Sequence, residues 1–495
     1  MTQSRQHIYE ALGVARADFV ERIGRESRAF GLASELRGSV ALAGSHSVRP
    51  SYLLPEVIEK IAAGARSPRN LVTYLQGIRD VIRRNYGDDY DAVPVATCEA
   101  GLWLCLEIFA APPLAGRGEA YRSAYLALHE AYSEHHLSYG RPYPPKYKDI
   151  FGERTNTGGE LGLLGHRLHN LDVVISRVAG ARYEPHGIRS FIVPLLTTAS
   201  AEGTCATVRQ RAERFADRVG AIVSLGYDTP GYGYGEKKDG VTPDLMKGLA
   251  AIACDYDVPY IIDNARAAPF AGPGLGRIGN DLMLFSMDKV AGAPTSGLVV
   301  GRSEYIIQIR RALGWHSERH GSGGIAYGKG AYSIFDPGRE TLVGQLAALE
   351  WLERNSEIVK SVVDELYAIV TEEATPLLRR HPHGIRISKS YNGYGVEVNY
   401  VDSWQDGRAG LPIFNNEDKA SGTNLLILGL AALGYQAPSA EDGNIFITTG
   451  RGLVDHAGRL IGERARAAVR AMVRVLEMLD DTTREIARES KEASE

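Results

Sequence analysis

The stretch NDLMLFSMDKVAGAPTSGLVVG, residues 280–301, sets a single lysine between an apolar run and a loop of small residues. Leu282, Met283, Leu284 and Phe285 suit a buried strand, and Leu298 to Val300 suit a second; Gly292, Ala293, Pro294, Ser296 and Gly297 form the turn between them. Lys289 therefore stands where the first strand ends. Burying an ammonium group without a partner is costly, so its position predicts a crevice at the strand end rather than the interior of a core.

Upstream, helix and strand patterns alternate. VTPDLMKGLAAIACDYDVPYIIDNA, residues 241–265, opens with Thr242 as the expected N-cap and Pro243 at the first helical position, and Leu245, Leu249 and Ile252 share one helical face. The strand Tyr260-Ile261-Ile262 follows. RQRAERFADR reads as a helix before the strand VGAIVSLG (219–226), and AVPVA (92–96) as a strand before the helix EAGLWLCLEIFA. This rhythm predicts an α/β fold with a mostly parallel sheet covered by helices on both faces. Ligands of such sheets bind at the carboxyl ends of the strands, which gathers Thr97 and Cys98, Tyr227 to Tyr234, Asp263 to Arg266, and Ser286 to Lys289 around one site.

After about residue 325 the texture changes to that of a smaller α+β domain, with ETLVGQLAALEWLER as a helix, GVEVNYV and NIFITTG as strands, and a long helix from His456. The partition expected is residues 1–60, an N-terminal helical segment packing with the small domain; 61–325, the large domain, with an insertion at 115–170; 326–480, the small domain; and 481–495, a charged, frayed tail.

The 495 residues are 44% hydrophobic and 23% charged, as in soluble globular proteins. A net charge of −4 opposes a nucleic-acid partner, which requires clustered Lys and Arg. No apolar run suits a membrane span or a signal peptide, and Cys98, Cys105, Cys205 and Cys254 show neither disulfide nor zinc spacing. A cytoplasmic protein is expected. GLGRIG (274–279) fits a dinucleotide-binding pattern but precedes a strand instead of linking a strand to a helix. His316 and His320 lie four residues apart in a Gly- and Ser-rich loop without a carboxylate partner pattern, so no metal is expected.

A lysine in a crevice can form a Schiff base with an aldehyde once its pKa is lowered, and pyridoxal phosphate is the cofactor most often held so. That cofactor also needs an acid facing its ring nitrogen, and Asp263, ending YIID, is the candidate. IIDNARAA (261–268) followed by DLMLFSMDKVAGAPTSGLVVG resembles the fold-type I pyridoxal-phosphate enzymes, in particular the class V aminotransferase and selenocysteine-synthase-like branch. FDPGRETLVGQLAALEWL (335–352) resembles the opening of that branch's small domain, and ATCEAGLW (96–103) its phosphate-binding turn.

The resemblance implies a seven-stranded-type sheet, with Lys289 as the Schiff-base lysine and Asp263 as the partner of the ring nitrogen. It further implies Thr97 and Cys98 as backbone donors to the phosphate, Ser286 as a hydroxyl donor to it, and Arg177 beside the ring. Arg266, in D-x-A-R, is similar to the arginine facing the cofactor phenolate in β-eliminating lyases. Arg451, after NIFITTG, stands where such enzymes bind a substrate carboxylate, and Tyr232 and Tyr234 offer phenols to a substrate. The function implied is chemistry on an amino acid through an external aldimine and a Cα carbanion, ending in elimination or replacement at Cβ or Cγ. The alternatives are an aminotransferase and, further off, a tRNA-dependent or regulatory protein on the same fold. Partners implied are a small amino-acid substrate and a second copy of the chain, with loop 321–330 completing a neighbour's site.

Overall fold

The apolar runs flanking Lys289 form neighbouring antiparallel strands, with Phe285 opposite Leu298 in register. The computed structural model describes residues 8, 11–44, 53–110, 122, 124–130, 189–195, 200–226, 228, 234–313, 337–400, 402–404, 409–412, 414, 424–441 and 443–492. In chain order its helices and strands are α1 (Arg16–Glu26), α2 (Pro55–Ala65), α3 (Leu71–Tyr86), β1 (Tyr90–Val95), α4 (Cys98–Phe109), β2 (Ala124–Glu130), β3 (Arg189–Leu195), α5 (Ala201–Arg214), β4 (Val219–Leu225), α6 (Asp244–Asp255), β5 (Tyr260–Asp263), α7 (Leu275–Ile278), β6 (Leu282–Ser286), β7 (Gly297–Arg302), α8 (Ser303–Ala312), α9 (Arg339–Glu373), α10 (Thr375–Arg380), β8 (Arg386–Ser390), β9 (Gly395–Asn399), α11 (Leu425–Ala432), β10 (Ser439–Glu441), β11 (Asn444–Ile447) and α12 (Gly462–Glu492).

The large sheet has seven strands in the order β1-β7-β6-β5-β4-β2-β3. Neighbours from β6 to β3 pair in parallel, and β7 runs antiparallel to both β6 and β1. β4 and β6 are buried along their whole length, which the helices packed around the sheet make possible. Pro94 and Pro194 lie on β1 and β3, the two edges of the sheet, where a strand can lack an N–H without breaking an interior ladder. Thr97 caps α4 by accepting from the Ala100 N–H at 3.0 Å, and Ser200 caps α5 by accepting from Gly203 N–H at 3.0 Å.

A second hydrophobic core joins β8, β9, β10 and β11, a four-stranded antiparallel sheet, to α11, α12 and the chain's beginning. Ile8, Leu12, Phe19 and Ile23 from the start of the chain are buried in it. Residues 40–44 are laid between two distant segments: Leu42 N–H donates to Gln436 O and Ala41 N–H to Arg451 O, each at 2.9 Å, and Thr448 N–H donates to Leu42 O. The long helix α9 belongs to both cores. It bends at Asn355, whose side-chain amide donates to Trp351 O at 2.8 Å; residues up to Val363 pack with the large sheet, and those from Leu366 on pack with the small one.

Three local expectations need correction. The span 115–170, read as an insertion, contains β2, a strand inside the large sheet between β4 and β3. Its remainder, residue 122 apart, lies outside the described residues. The tail 481–495 is not a frayed end through Glu492, because α12 runs that far and buries Asp480, Thr482 and Thr483. Helix α6 starts one residue later than expected: Asp239 Oδ1 accepts from Val241 and Thr242 N–H groups at 2.9 and 2.7 Å, so Thr242 belongs to the turn before the helix rather than capping it.

Candidate active site

The ends of β5 and β6 and the start of α4 meet in one crevice. After β6 the chain turns tightly: Met287 N–H donates to Ser296 O and Ala293 N–H to Met287 O, each at 2.9 Å, and Gly292 takes the left-handed conformation, φ 69°, that closes the loop. Lys289 sits in this turn, partly buried. Burial lowers the pKa of its amine; Cys98 and Asp263 oppose that shift, and the Arg266 guanidinium adds to it.

Asp263 ends β5. Its Oδ1 accepts from the Ala265 N–H at 3.1 Å and from the Cys98 thiol at 3.7 Å. Burial and the nearby Glu99 carboxylate raise its pKa, against the pull of Lys289. Each member of the Lys289–Asp263 pair is thus shifted toward its neutral form. For both, burial outweighs the attraction between them, so the crevice suits a group that brings a cationic end to Asp263 and a reactive carbonyl to Lys289.

Cys98 is the first residue of α4, where N–H groups lack partners within the helix and an anion is favoured. Gly297 is what lets β7 start beside it, since a Cβ there would lie 2.5 Å from Cys98 N and from Thr97 C. Gln345 of α9 donates to the Gly297 carbonyl at 2.9 Å, fixing that approach from the other side.

Lys289, Asp263 and Cys98 are therefore within electrostatic reach of one another, and Arg266 is within reach of Lys289. Arg266 also lies over the Phe446 ring of β11, at 4.8 Å, and so bridges to the small sheet. Arg451 follows β11 in the turn crossed by residues 40–44. The Ser286 hydroxyl donates to Asp288 at 2.8 Å, so its proton is engaged within the loop, and the Thr97 hydroxyl is engaged as the α4 cap. Tyr234 is corrected: it is fully buried, with its hydroxyl donating to Leu225 O at 3.3 Å, a core residue rather than a phenol offered to substrate. Arg177, Tyr232 and loop 321–330 lie outside the described residues, as do His316 and His320.

Sequence reasoning missed a polar knot beside the site. Asp228, just past β4, accepts from the Ser390 hydroxyl and, at 3.4 Å, from the Asn392 N–H. Asn392 Nδ2 donates to Gly226 O at 3.0 Å, and Asn264 Nδ2, next to Asp263, donates to Asn392 Oδ1 at 2.7 Å. All four side chains are buried. The turn after β8 is thereby bolted to the ends of β4 and β5. The only signal in the sequence is the presence of Asn and Asp just past strand ends, which ordinary turns share.

Among the described residues no cluster of His, Cys, Asp and Glu could hold a metal, and no helix is long and apolar enough to cross a membrane. No protein-family model and no curated protein sequence matches the chain. Solved structures do match in shape. A chain of the SepCysS–SepCysE N-terminal domain complex is 12% identical with a TM-score of 0.50, over 90% of this chain and 96% of that one. Alanine–glyoxylate aminotransferase from Nostoc sp. is 13% identical over 89% and 95%, with a TM-score of 0.47, and D-glucosaminate-6-phosphate ammonia-lyase is 15% identical over 92% and 97%, with a TM-score of 0.43. Sheet order, the small antiparallel sheet and the first of these likenesses together establish that the chain has the fold of the fold-type I pyridoxal-phosphate enzymes.

Proposed function

We propose that the protein is a pyridoxal 5'-phosphate-dependent enzyme acting on an amino acid, with elimination or replacement of a side-chain group at Cβ or Cγ. The observation that carries this reading is the lysine in the turn after β6 with a lowered pKa, coupled to a carboxylate at the end of β5. The donor set fits the cofactor: an amine for its aldehyde, a carboxylate for its ring nitrogen, and a helix start for its phosphate. Bound there, the cofactor supplies an electron sink for negative charge developing at the substrate Cα.

The chain's own residues do the rest. Asp263 keeps the ring nitrogen protonated. Cys98 and Thr97 offer backbone N–H groups to the phosphate, with Ser286 a further donor once its proton turns from Asp288. Lys289, its pKa lowered by burial, would take the Cα proton and deliver it to the departing side-chain group. Arg266 adds a positive charge on the lysine's side of the crevice and favours the anionic form of the cofactor phenolate. Arg451 and Arg177 would bind a carboxylate in bidentate fashion, and Tyr232 would face the substrate. Assembly as a homodimer or larger is part of the proposal, with loop 321–330 reaching a neighbour's site.

Borohydride treatment of the cofactor-loaded protein should fix the cofactor on Lys289, located by peptide mass spectrometry; fixation on another lysine overturns the reading. Incubation with amino acids bearing Cβ or Cγ leaving groups, S-adenosylmethionine included, should release the leaving group. Keto acid formation with conversion of the cofactor to pyridoxamine phosphate, and no leaving group, would identify an aminotransferase instead.

A further inference from the structure

Cys98 has two chemical ends in this crevice. Its backbone N–H belongs to the first turn of α4, while its side chain reaches back to the end of β5, with Sγ 3.7 Å from Asp263 Oδ1. The Ala265 N–H reaches the same oxygen at 3.1 Å. Among the described residues both donors fall on Oδ1, which leaves Oδ2 as the oxygen available to a ligand. Cys98 is 6% exposed, and its backbone is held in place: the Gly297 backbone lies close on the Thr97–Cys98 peptide, and Gln345, itself fully buried, holds the Gly297 carbonyl.

We propose that Cys98 is a positioning residue for Asp263. Its thiol donates to Oδ1 and so presents Oδ2 to the cofactor ring nitrogen, and the same residue's N–H registers the phosphate end. The cofactor would be aligned at both ends by one residue, backed through Gly297 by Gln345. The proposal deepens the reading of this crevice as a pyridoxal-phosphate site and rests on it. A thiol is a weak donor, so the effect expected is modest.

The test uses the full chain and two variants that separate the hydrogen bond from packing. Cys98→Ala should weaken cofactor affinity, measured by absorbance titration of the stripped protein, by about threefold to tenfold. Cys98→Ser, which restores a donor, should return it to the wild-type value or better. A second readout needs no cofactor: iodoacetamide alkylation of Cys98 in the stripped protein, located by mass spectrometry, should run faster in Asp263→Asn, because the carboxylate opposes thiolate formation. Wild-type affinity in Cys98→Ala, failure of Cys98→Ser to rescue, or an alkylation rate indifferent to Asp263→Asn overturns the proposal. A wild type that takes up no cofactor also overturns it, and Cys98 alkylation that still responds to Asp263→Asn would identify that result as a failure of the cofactor reading.

Discussion

At the scale of single residues, the site is governed by two groups whose charged forms burial disfavours, raising the pKa of Asp263 and lowering that of Lys289. Because the folded pKa of Lys289 lies below its usual value, its amine should react with pyridoxal at a rate whose inflection falls below pH 10.5, measured by stopped-flow absorbance. An inflection at the ordinary lysine value contradicts the burial argument. Asp263→Asn should keep the Schiff base but slow exchange of the substrate Cα proton, read by NMR in deuterated water, by about 10²–10⁴-fold; unchanged exchange means another group faces the ring nitrogen. That Lys289 and Asp263 lie near each other was legible in the sequence, because Asp263 ends one apolar strand and Lys289 stands in the turn after the next. The Cys98 thiol on Asp263 was not, because it joins positions 165 residues apart and a cysteine on a helix reads as core. Tyr234 misled for the converse reason: a tyrosine among glycines looks like turn chemistry, and only the folded chain brings its hydroxyl to the Leu225 carbonyl.

At the scale of elements, close approach matters more than composition. Gly297→Ala would drive a Cβ into the Thr97–Cys98 peptide and should destabilise the protein by about 1–3 kcal/mol, with a larger proportional loss of cofactor affinity, measured by urea denaturation and by titration. Asn392→Ala removes the donor to Gly226 O and the acceptor for Asn264, and should cost about 1–3 kcal/mol in the same denaturation assay. Strands β4, β5, β6 and β7 could be read directly, since each is a short apolar run bounded by turn residues. Strand β2 could not, because its sequence, AYLALHE, was set aside within a span read as an insertion. The end of α12 reads as frayed by charge density alone, yet its acids and bases pair with neighbouring elements: Arg380 with Asp480 and Asp481, and Arg22 with Glu485.

For the whole molecule, each core carries a buried charged seam: Asp91 of β1 pairs with Arg79 and Arg310 beside the large sheet, and Asp480 anchors the one in the smaller core. Asp480, fully buried, accepts from His381 at 2.9 Å and pairs with Arg484 at 3.1 Å and Arg380 at 3.4 Å. Burial alone would raise its pKa, but the His381 hydrogen bond and the His381 and Arg484 charges hold it below the usual value. A depressed carboxyl pKa stabilises the fold above the unfolded value of about 4, and that stability is lost as pH falls through the folded value. Asp480→Ala should therefore lower stability at pH 7 by about 3 kcal/mol and flatten the acid limb of the stability curve, measured by thermal melts across pH 2–6. An acid limb identical to that of the wild type places the titration elsewhere.

The strand-like passage of residues 40–44 also sets a clock on synthesis. Arg37 donates to the carbonyls of Ala431 and Ala432, the latter 395 residues further along, so the small domain's N-terminal part is made first and its C-terminal partners last. At about 5–20 residues per second, a ribosome needs tens of seconds to cover that interval. Throughout it Phe19, Ile23, Val40 and Leu42 have no complete core to enter, while the segments that build the large sheet, ending with β7, are made well before Ala431. Nascent chains stalled once β7 has cleared the exit tunnel should protect the large sheet from protease while leaving residues 11–44 cleavable, and cleavage there should cease only once residue 479 has cleared it too.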